Sequence, residues 1–184
     1  MRVGSVILAA GASTRLGQPK QLQTLGSETL LERAMRVVRE AGCSPVVVVL
    51  GASAALIQAA CDFGDSVIVM NEDWAEGMGS SVRVGVRALQ DLDACMVTTC
   101  DMPAVTAAHL RSLMVSGEVT ASFYAGRRGV PAYFPASCFR SLIKLRGDVG
   151  AKGLLRSARF VELAGGELDI DTAEDLERAR KLFG

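Results

Sequence analysis

Three short stretches combine residue types and spacings that can do chemistry. The first is Leu8-Ala9-Ala10-Gly11-Ala12-Ser13-Thr14-Arg15-Leu16-Gly17-Gln18-Pro19-Lys20. It joins the end of an apolar run to a string of small residues and then to two cations. Small residues let backbone N–H groups approach a phosphate closely, and Arg15 and Lys20 would neutralise its charge. The string is not a Walker A loop, because Gly11 and Gly17 are wrongly spaced and no Gly-Lys-Ser/Thr occurs, and it is not G-x-G-x-x-G. An ordinary turn with two solvated cations is the plainer alternative. The second stretch is Cys100-Asp101-Met102-Pro103, which follows an apolar run. A carboxylate at a strand end can hold Mg²⁺, a hard ion that shares its oxygen ligands with phosphates. An Asp just before a Pro turn can equally cap that turn. The third is Asp169-Ile170-Asp171-Thr172. In extended chain Asp169 and Asp171 point the same way, so one of them could complete a metal shell. Thr172 followed by Glu174 and Asp175 is also a good acidic helix start.

Other stretches are less specific. Glu76-Gly77-Met78-Gly79-Ser80-Ser81 puts small residues at a helix start, a setting for an anion or a ribose. Trp74 could stack on a ring, although a lone Trp more often packs in a core or an interface. Arg127, Arg128, Arg140, Lys144, Arg146 and Lys152 fall within 26 positions. They suit a basic pocket, with Arg140 and Lys144 better explained as solvated helix faces. The single His, His109, reads as a structural or surface residue away from these motifs. The five cysteines are odd in number and contain no C-x-x-C. Buried, reduced thiols are expected, with neither a disulfide framework nor a zinc site.

The elements that must position these residues alternate. Short apolar, β-branched runs at Val3–Ala10, Pro45–Leu50, Ser66–Met70 and Ala94–Thr99 read as strands. Between them lie helical patterns. One opens at Thr29 and Glu32, which have capping-box spacing, and stops at Gly42, with Leu30, Leu31, Ala34, Val37 and Val38 on its apolar face. Others cover Ser53–Cys61, where Leu56, Ile57 and Ala60 share a face, then Ser80–Gln90 and Thr106–Val115. Thr120–Ala125 and Ala132–Phe134 read as strands either side of a Gly126–Pro131 turn. Helices near Ala136–Leu145 and Ala151–Ala158, a strand at Arg159–Leu163 and a helix at Thr172–Leu182 complete the pattern. Strands alternating with helices predict an α/β fold, a three-layer α/β/α sandwich with a mostly parallel, Rossmann-like sheet, and nothing divides residues 1–184 into more than one domain. In such sheets ligands bind beyond the carboxyl ends of the strands, where the loops after Ala10, Met70 and Thr99 stand.

Composition bounds the function. Hydrophobic residues make up 49% and charged residues 22%, which excludes a disordered chain. Twenty Lys and Arg balance twenty Asp and Glu, which argues against nucleic acid or an anionic membrane as partner. The balance is local, however. Residues 1–40 carry +3 and 119–160 carry +7, against −5 over 41–82 and −4 over 161–184. Two small anionic ligands remain compatible with that pattern. Apolar runs are far too short for a membrane span, and the start mimics a signal peptide only faintly, so a cytoplasmic location is expected.

The first string resembles the L-A-A-G-x-S-x-R-x-G-x-P-K signature of nucleotidyltransferases with the GT-A-like, nucleotide-diphospho-sugar transferase fold. More narrowly, the chain resembles the MocA-like molybdenum cofactor cytidylyltransferase family within the MobA-like NTP transferase superfamily. Asn71–Gly85, Thr99–Pro103, Arg128-Gly129-Val130-Pro131, Gly147–Ala151 and Asp169–Leu176 match in order along nearly the whole chain. The resemblance implies transfer of CMP from CTP to the phosphate of molybdopterin, with release of pyrophosphate and a need for Mg²⁺. It implies Arg15, Lys20 and Asp101 as catalytic residues and Asp101 and Asp171 as metal ligands. Leu8, Ala9, Ala10, Gly11, Ser13, Arg15, Lys20, Gly79, Ser80 and Ser81 would bind the nucleotide, and Gly129, Pro131 and Asp148 the pterin cofactor. Val130 stands where the family usually has His in G-H-P, which removes one contact to the acceptor. Ala9-Ala10, where guanine-using relatives tend to show Gly-Gly, favours cytosine. Rival expectations are guanylyl transfer, cytidylyl transfer to a sugar or polyol phosphate, and a non-catalytic chaperone that carries nucleotide or cofactor. The expected partners are CTP, a molybdopterin-type acceptor and a molybdenum hydroxylase that receives the product, the protein itself being a monomer or weak dimer.

Overall fold

The computed structural model describes residues 1–147 and 151–184. The uniformly apolar runs form the middle of one seven-stranded sheet, where both faces are covered. β1 (Val3–Ala9) and β4 (Val46–Leu50) are buried at every position, and β6 (Ala94–Thr99) at every position but the last. Two-residue strands β2 (Thr24–Leu25) and β3 (Glu28–Thr29) form a separate hairpin. The sheet order is β5-β4-β1-β6-β8-β7-β9, with β5 at Val67–Met70, β7 at Thr120–Tyr124, β8 at Arg127–Pro135 and β9 at Arg159–Glu162. β5, β4, β1 and β6 run parallel; β8 lies antiparallel between β6 and β7; β9 is parallel to β7.

Helices cover both faces, as expected. Successive residues of β1 point to opposite sides, so Ile7 and Ala9 join one core cluster and Val6 and Leu8 the other. The first cluster takes Leu31, Met35 and Val38 of α1 (Leu30–Glu40), Ile57 of α2 (Ala54–Ala60) and Leu110 and Leu113 of α4 (Ala107–Met114). The second takes Val82 and Val86 of α3 (Met78–Arg87), Phe139 and Leu142 of α5 (Phe139–Leu142) and Leu155 of α6 (Lys152–Leu155). Burying one such side chain is worth about 1.5–3 kcal/mol, so the two clusters dominate the stability. α7 (Ala173–Phe183) closes the chain.

Local signals explain the boundaries. Thr29 and Glu32 form the expected capping box on α1, and Gly42 ends that segment at φ +94°. Two readings are corrected. In α2, Ile57 is fully buried while Leu56 is exposed, because adjacent helix positions lie about 100° apart and the helix packs through Ala54 and Ile57. The stretch 126–131 is not a turn. β7 and β8 join through Ala125 and Gly126 alone, both with positive φ, the primed turn that suits a two-residue hairpin. β8 therefore starts at Arg127. Pro131, which has no N–H to donate, sits where the pairing jumps from Ser122↔Gly129 to Ala121↔Ala132.

A third, smaller cluster packs Leu25 and Leu30 against Leu168, Ile170, Leu176 and Ala179. It fastens the segment before α7 beside the chain that follows Lys20. The site depends on that attachment.

Candidate active site

Four charged side chains meet beyond the carboxyl ends of β1 and β6. Lys20 Nζ donates to Asp101 Oδ2 at 2.7 Å and to Asp171 Oδ1 at 2.6 Å. Arg15 reaches the other oxygen of Asp171 at 3.2 Å. Asp101 stands two residues past the end of β6, after the buried Cys100. The backbone N–H of Ile170 donates to the Asp101 carbonyl at 2.9 Å, and the buried Ile170 side chain anchors the third cluster, so Asp171 is held beside Asp101 across 70 residues of sequence. The last acidic stretch starts a helix, as its residue types suggested, and also contributes to the charged cluster. Thr172 caps α7 with Asp175, while Asp171, one residue earlier, faces Lys20. Burial works against the Lys20 charge, but the two carboxylates outweigh it and hold the ammonium well above its usual range.

The loop from Gly11 to Lys20 is shaped by its own backbone. Ser13 adopts φ +53°, its carbonyl accepts from the N–H groups of Leu16 and Gly17, and its hydroxyl accepts from the N–H of Lys20 at 3.0 Å. Gln21 is almost fully buried, and its amide donates to the carbonyls of Ala9 and Gly11. Leu8, Ala9 and Ala10 lie in the core and serve the loop from below. Gly11 and Gly17 stand open, with no heavy atom outside their chain neighbours within 4 Å of where a Cβ would be. A bulky ligand group can come directly against that backbone.

The second loop is internally committed. Asn71 is buried, and its side-chain amide donates to the hydroxyls of Ser80 at 2.8 Å and Ser81 at 2.9 Å. The fully buried Ser80 hydroxyl lies in turn at 2.8 Å from the Gly77 carbonyl. These serines therefore shape the start of α3 from inside. Gly79 makes a close approach, because a Cβ there would stand 2.6 Å from the Gly147 carbonyl oxygen. Trp74 packs over Gly51 at the end of β4. Glu76 and Arg83 lock this loop to a distant segment. Glu76 accepts from Arg83 at 2.8 and 3.2 Å and from the Gly147 N–H at 3.1 Å, and Arg83 donates to the Leu145 carbonyl at 2.7 Å. The Arg83 guanidinium, helped by the Gly147 N–H, pulls the Glu76 carboxyl down to about 2.

A cleft of about 530 Å³ joins Asp101 to the basic stretch, with Arg127, Arg128, Gly129 and Lys152 among its walls. Arg128 lies over the Phe160 ring at 4.9 Å and Arg127 over Tyr124 at 5.6 Å, so aromatic faces hold both cations. Arg140 and Lys144 are exposed and lie off these walls. Asp169 lines the cleft beside Asp101, whereas Asp171 is the one that meets Lys20. Asp148 lies outside the described residues. His109 is not away from the motifs. Its Nε2 lies 2.8 Å from the Ser122 hydroxyl, which donates to the Pro131 carbonyl at 2.7 Å, so the imidazole supports the bulge behind Val130. Burial lowers its pKa. The thiols of Cys43, Cys61, Cys95 and Cys100 are all pushed up by burial, which leaves none of them a ready nucleophile.

The donor set suits a hard divalent ion. Two carboxylates already converge on one cation, the Lys20 ammonium, although among the described residues no group of three His, Cys, Asp or Glu gathers to hold a metal, here or elsewhere. An ion here would take oxygens from Asp101 and Asp171 and complete its shell from a ligand.

Residues 5–163 match the MobA-like NTP transferase domain. The chain belongs to the MobA-like NTP transferase family. Among its relatives, the nicotine blue oxidoreductase of Paenarthrobacter nicotinovorans is 32% identical over 98% of this chain and 95% of that protein. The molybdenum cofactor cytidylyltransferase of Escherichia coli K12 is 28% identical over 98% of this chain and 97% of that protein. The crystal structure of Rv0371C from Mycobacterium tuberculosis H37Rv, a complex with manganese, superposes with a TM-score of 0.82 at 29% identity, covering 98% of this chain and 99% of that one. The MobA-like chain is a nucleotidyltransferase with the α/β fold of that family. Among its described residues no helix is long and apolar enough to cross a membrane.

Sequence reasoning missed three side chains that hold the loops around this site: Gln21, Glu76 and Arg83. Gln21 stands directly after the signature, where a buried amide could have been suspected. Arg83 meets Leu145, and Glu76 meets Gly147, only through the tertiary fold, and no local spacing announces either contact.

Proposed function

We propose that the protein transfers CMP from CTP to the phosphate of molybdopterin, releasing pyrophosphate. The observation that carries the reading is the meeting of Lys20, Asp101, Asp171 and Arg15 beneath an open, small-residue loop. The loop from Gly11 to Arg15 supplies backbone N–H groups for the triphosphate, those of Leu16 and Gly17 being taken by the Ser13 carbonyl, and Arg15 and Lys20 neutralise its oxygens. Mg²⁺, held by Asp101 and Asp171, would shield the α-phosphate and offset the charge that develops on the leaving pyrophosphate. Arg127, Arg128 and Lys152 draw the anionic acceptor into the cleft, where Gly129 and Pro131 form part of the strand behind it. The acceptor phosphate attacks the α-phosphorus in line. A phosphate monoester is already a nucleophile, so no general base is required, in keeping with thiols raised by burial and a His109 committed to Ser122. Positioning and charge neutralisation then supply most of the rate.

The choice of cytosine rests on Ala9-Ala10 before Gly11, and the choice of acceptor on the Escherichia coli relative and the run of shared motifs. The oxidoreductase named among the relatives is not adopted as a model, since this sequence has no G-x-G-x-x-G for a dinucleotide. We read residues 1–184 as one cytoplasmic domain whose product passes to a molybdenum hydroxylase. Equilibrium binding of Mg²⁺–CTP and Mg²⁺–GTP tests the base: tighter CTP binding is expected, and a clear preference for GTP overturns the assignment to cytosine.

A further inference from the structure

The carboxylate pair that would hold the metal is filled by the protein itself. Lys20 Nζ makes hydrogen bonds to both Asp101 and Asp171, at 2.7 and 2.6 Å, and its side chain is only 15% exposed. A divalent ion cannot take the same oxygens while the ammonium stays, because the two cations would sit within a few ångströms of each other in a half-buried site. Moving the ammonium away without a new partner would strand a poorly solvated charge. Two protein carboxylates alone also hold Mg²⁺ only weakly, the rest of its six oxygens coming from water or from a substrate's phosphates. A triphosphate removes both obstacles at once. Its oxygens complete the shell of the ion and give the displaced ammonium new acceptors. Arg15, which bonds the outer oxygen of Asp171 from a position 74% exposed, is free to turn to the same phosphates.

We propose that Lys20 is an exchangeable counter-ion that bars the free divalent ion from Asp101 and Asp171, so that the protein takes its metal only as the metal–nucleoside triphosphate chelate. This rests on the nucleotidyl-transfer reading above. Lys20 then has two successive sets of partners, the carboxylates before loading and the phosphates after it.

The test is a titration of Mn²⁺ against the full chain, followed by the loss of the free-ion electron paramagnetic resonance signal, with and without CTP or GTP. The wild type should bind free Mn²⁺ weakly and bind it much more tightly once a nucleotide is present. Lys20→Met should bind free Mn²⁺ about 10–100-fold more tightly than the wild type, since a like charge has been removed from the site. Lys20→Arg, which keeps the charge, should bind it as weakly as the wild type. Adding Asp101→Asn to Lys20→Met should abolish the gain. Circular dichroism melting of each variant establishes that it is folded. If the wild type and a folded Lys20→Met bind free Mn²⁺ equally, the exchange is overturned while nucleotidyl transfer stands. If the wild type takes no Mn²⁺ even with CTP or GTP, the nucleotidyl-transfer reading and the exchange fall together.

Discussion

Two clusters in this molecule each place one basic side chain among carboxylates and carbonyls, and they are built for opposite purposes. Around Arg83, Glu76 is gripped by two guanidinium contacts and a backbone N–H, and Arg83 is tied further to the Leu145 carbonyl. The partners include main chain at both ends, so the cluster is a strut between the loop before α3 and the segment at 145–147. Around Lys20, the contacts run only from side chain to side chain, and the fourth member, Arg15, projects into solvent. Such contacts can be exchanged for those of a ligand without disturbing a backbone. A well-paired charge alone therefore does not mark a ligand site. What distinguishes the Lys20 cluster is that its contacts join side chains only and that Asp101 also lines the cleft.

The largest effect that would break this contrast is at the exchangeable centre. Asp101→Ala is expected to cut metal-dependent pyrophosphate release by about 10³-fold, the scale of losing a principal charge-stabilising group. A near-normal rate in a folded variant would remove the centre from the chemistry. Next comes the strut. Arg83→Met frees the Leu145 carbonyl and leaves the solvent-exposed Glu76 without its guanidinium, and we expect a lower midpoint of urea unfolding with Mn²⁺–CTP affinity unchanged. A fall in affinity with no loss of stability would mean that the two clusters are not separate in function.

The strut should also have a pH signature. The Glu76 carboxyl falls from 4.5 when free to about 2 in the fold, so its contribution is complete above 4.5 and is lost as the pH drops toward 2. Stability of Glu76→Gln should therefore fall less steeply than that of the wild type between those values, as followed by thermal melts; parallel curves would show that the contacts are not held in solution. The smallest effects belong to the solvated cations. Arg140→Ala and Lys144→Ala should each change stability by less than about 0.5 kcal/mol and leave turnover unchanged, in contrast to Arg83.

How much of this was legible in the sequence follows the same division. β1, β4 and β6 were readable almost to the residue, because strands buried on both faces are apolar throughout. β8 was not. Arg127, Arg128, Gly129 and Pro131 carry turn-like chemistry, yet the pairing with β7 and the short Ala125–Gly126 turn draw them into the sheet, with a bulge that absorbs the Pro. The hairpin of β2 and β3 is too short to leave a periodic signal. At the site, Arg15, Lys20, Asp101 and Asp171 were found through the run of motifs, while their convergence on one ammonium was not, since it depends on Ile170 bonding to Asp101 across the fold. Ser80 and Ser81 had the right types for a ribose, but the buried Asn71 takes their hydroxyls from within. His109 was set apart because its link to Pro131 passes through Ser122 on a different strand.

The proposed reaction is a metal-dependent transfer of CMP to a pterin phosphate. The sharpest experiment gives the purified protein molybdenum cofactor, Mg²⁺ and each of the four nucleoside triphosphates in turn, and measures pyrophosphate release together with nucleotide attached to the cofactor. Release and attachment are expected with CTP, well above the other three. Turnover with GTP in preference, or tight binding of CTP with no pyrophosphate from any of the four, would contradict the proposed reaction.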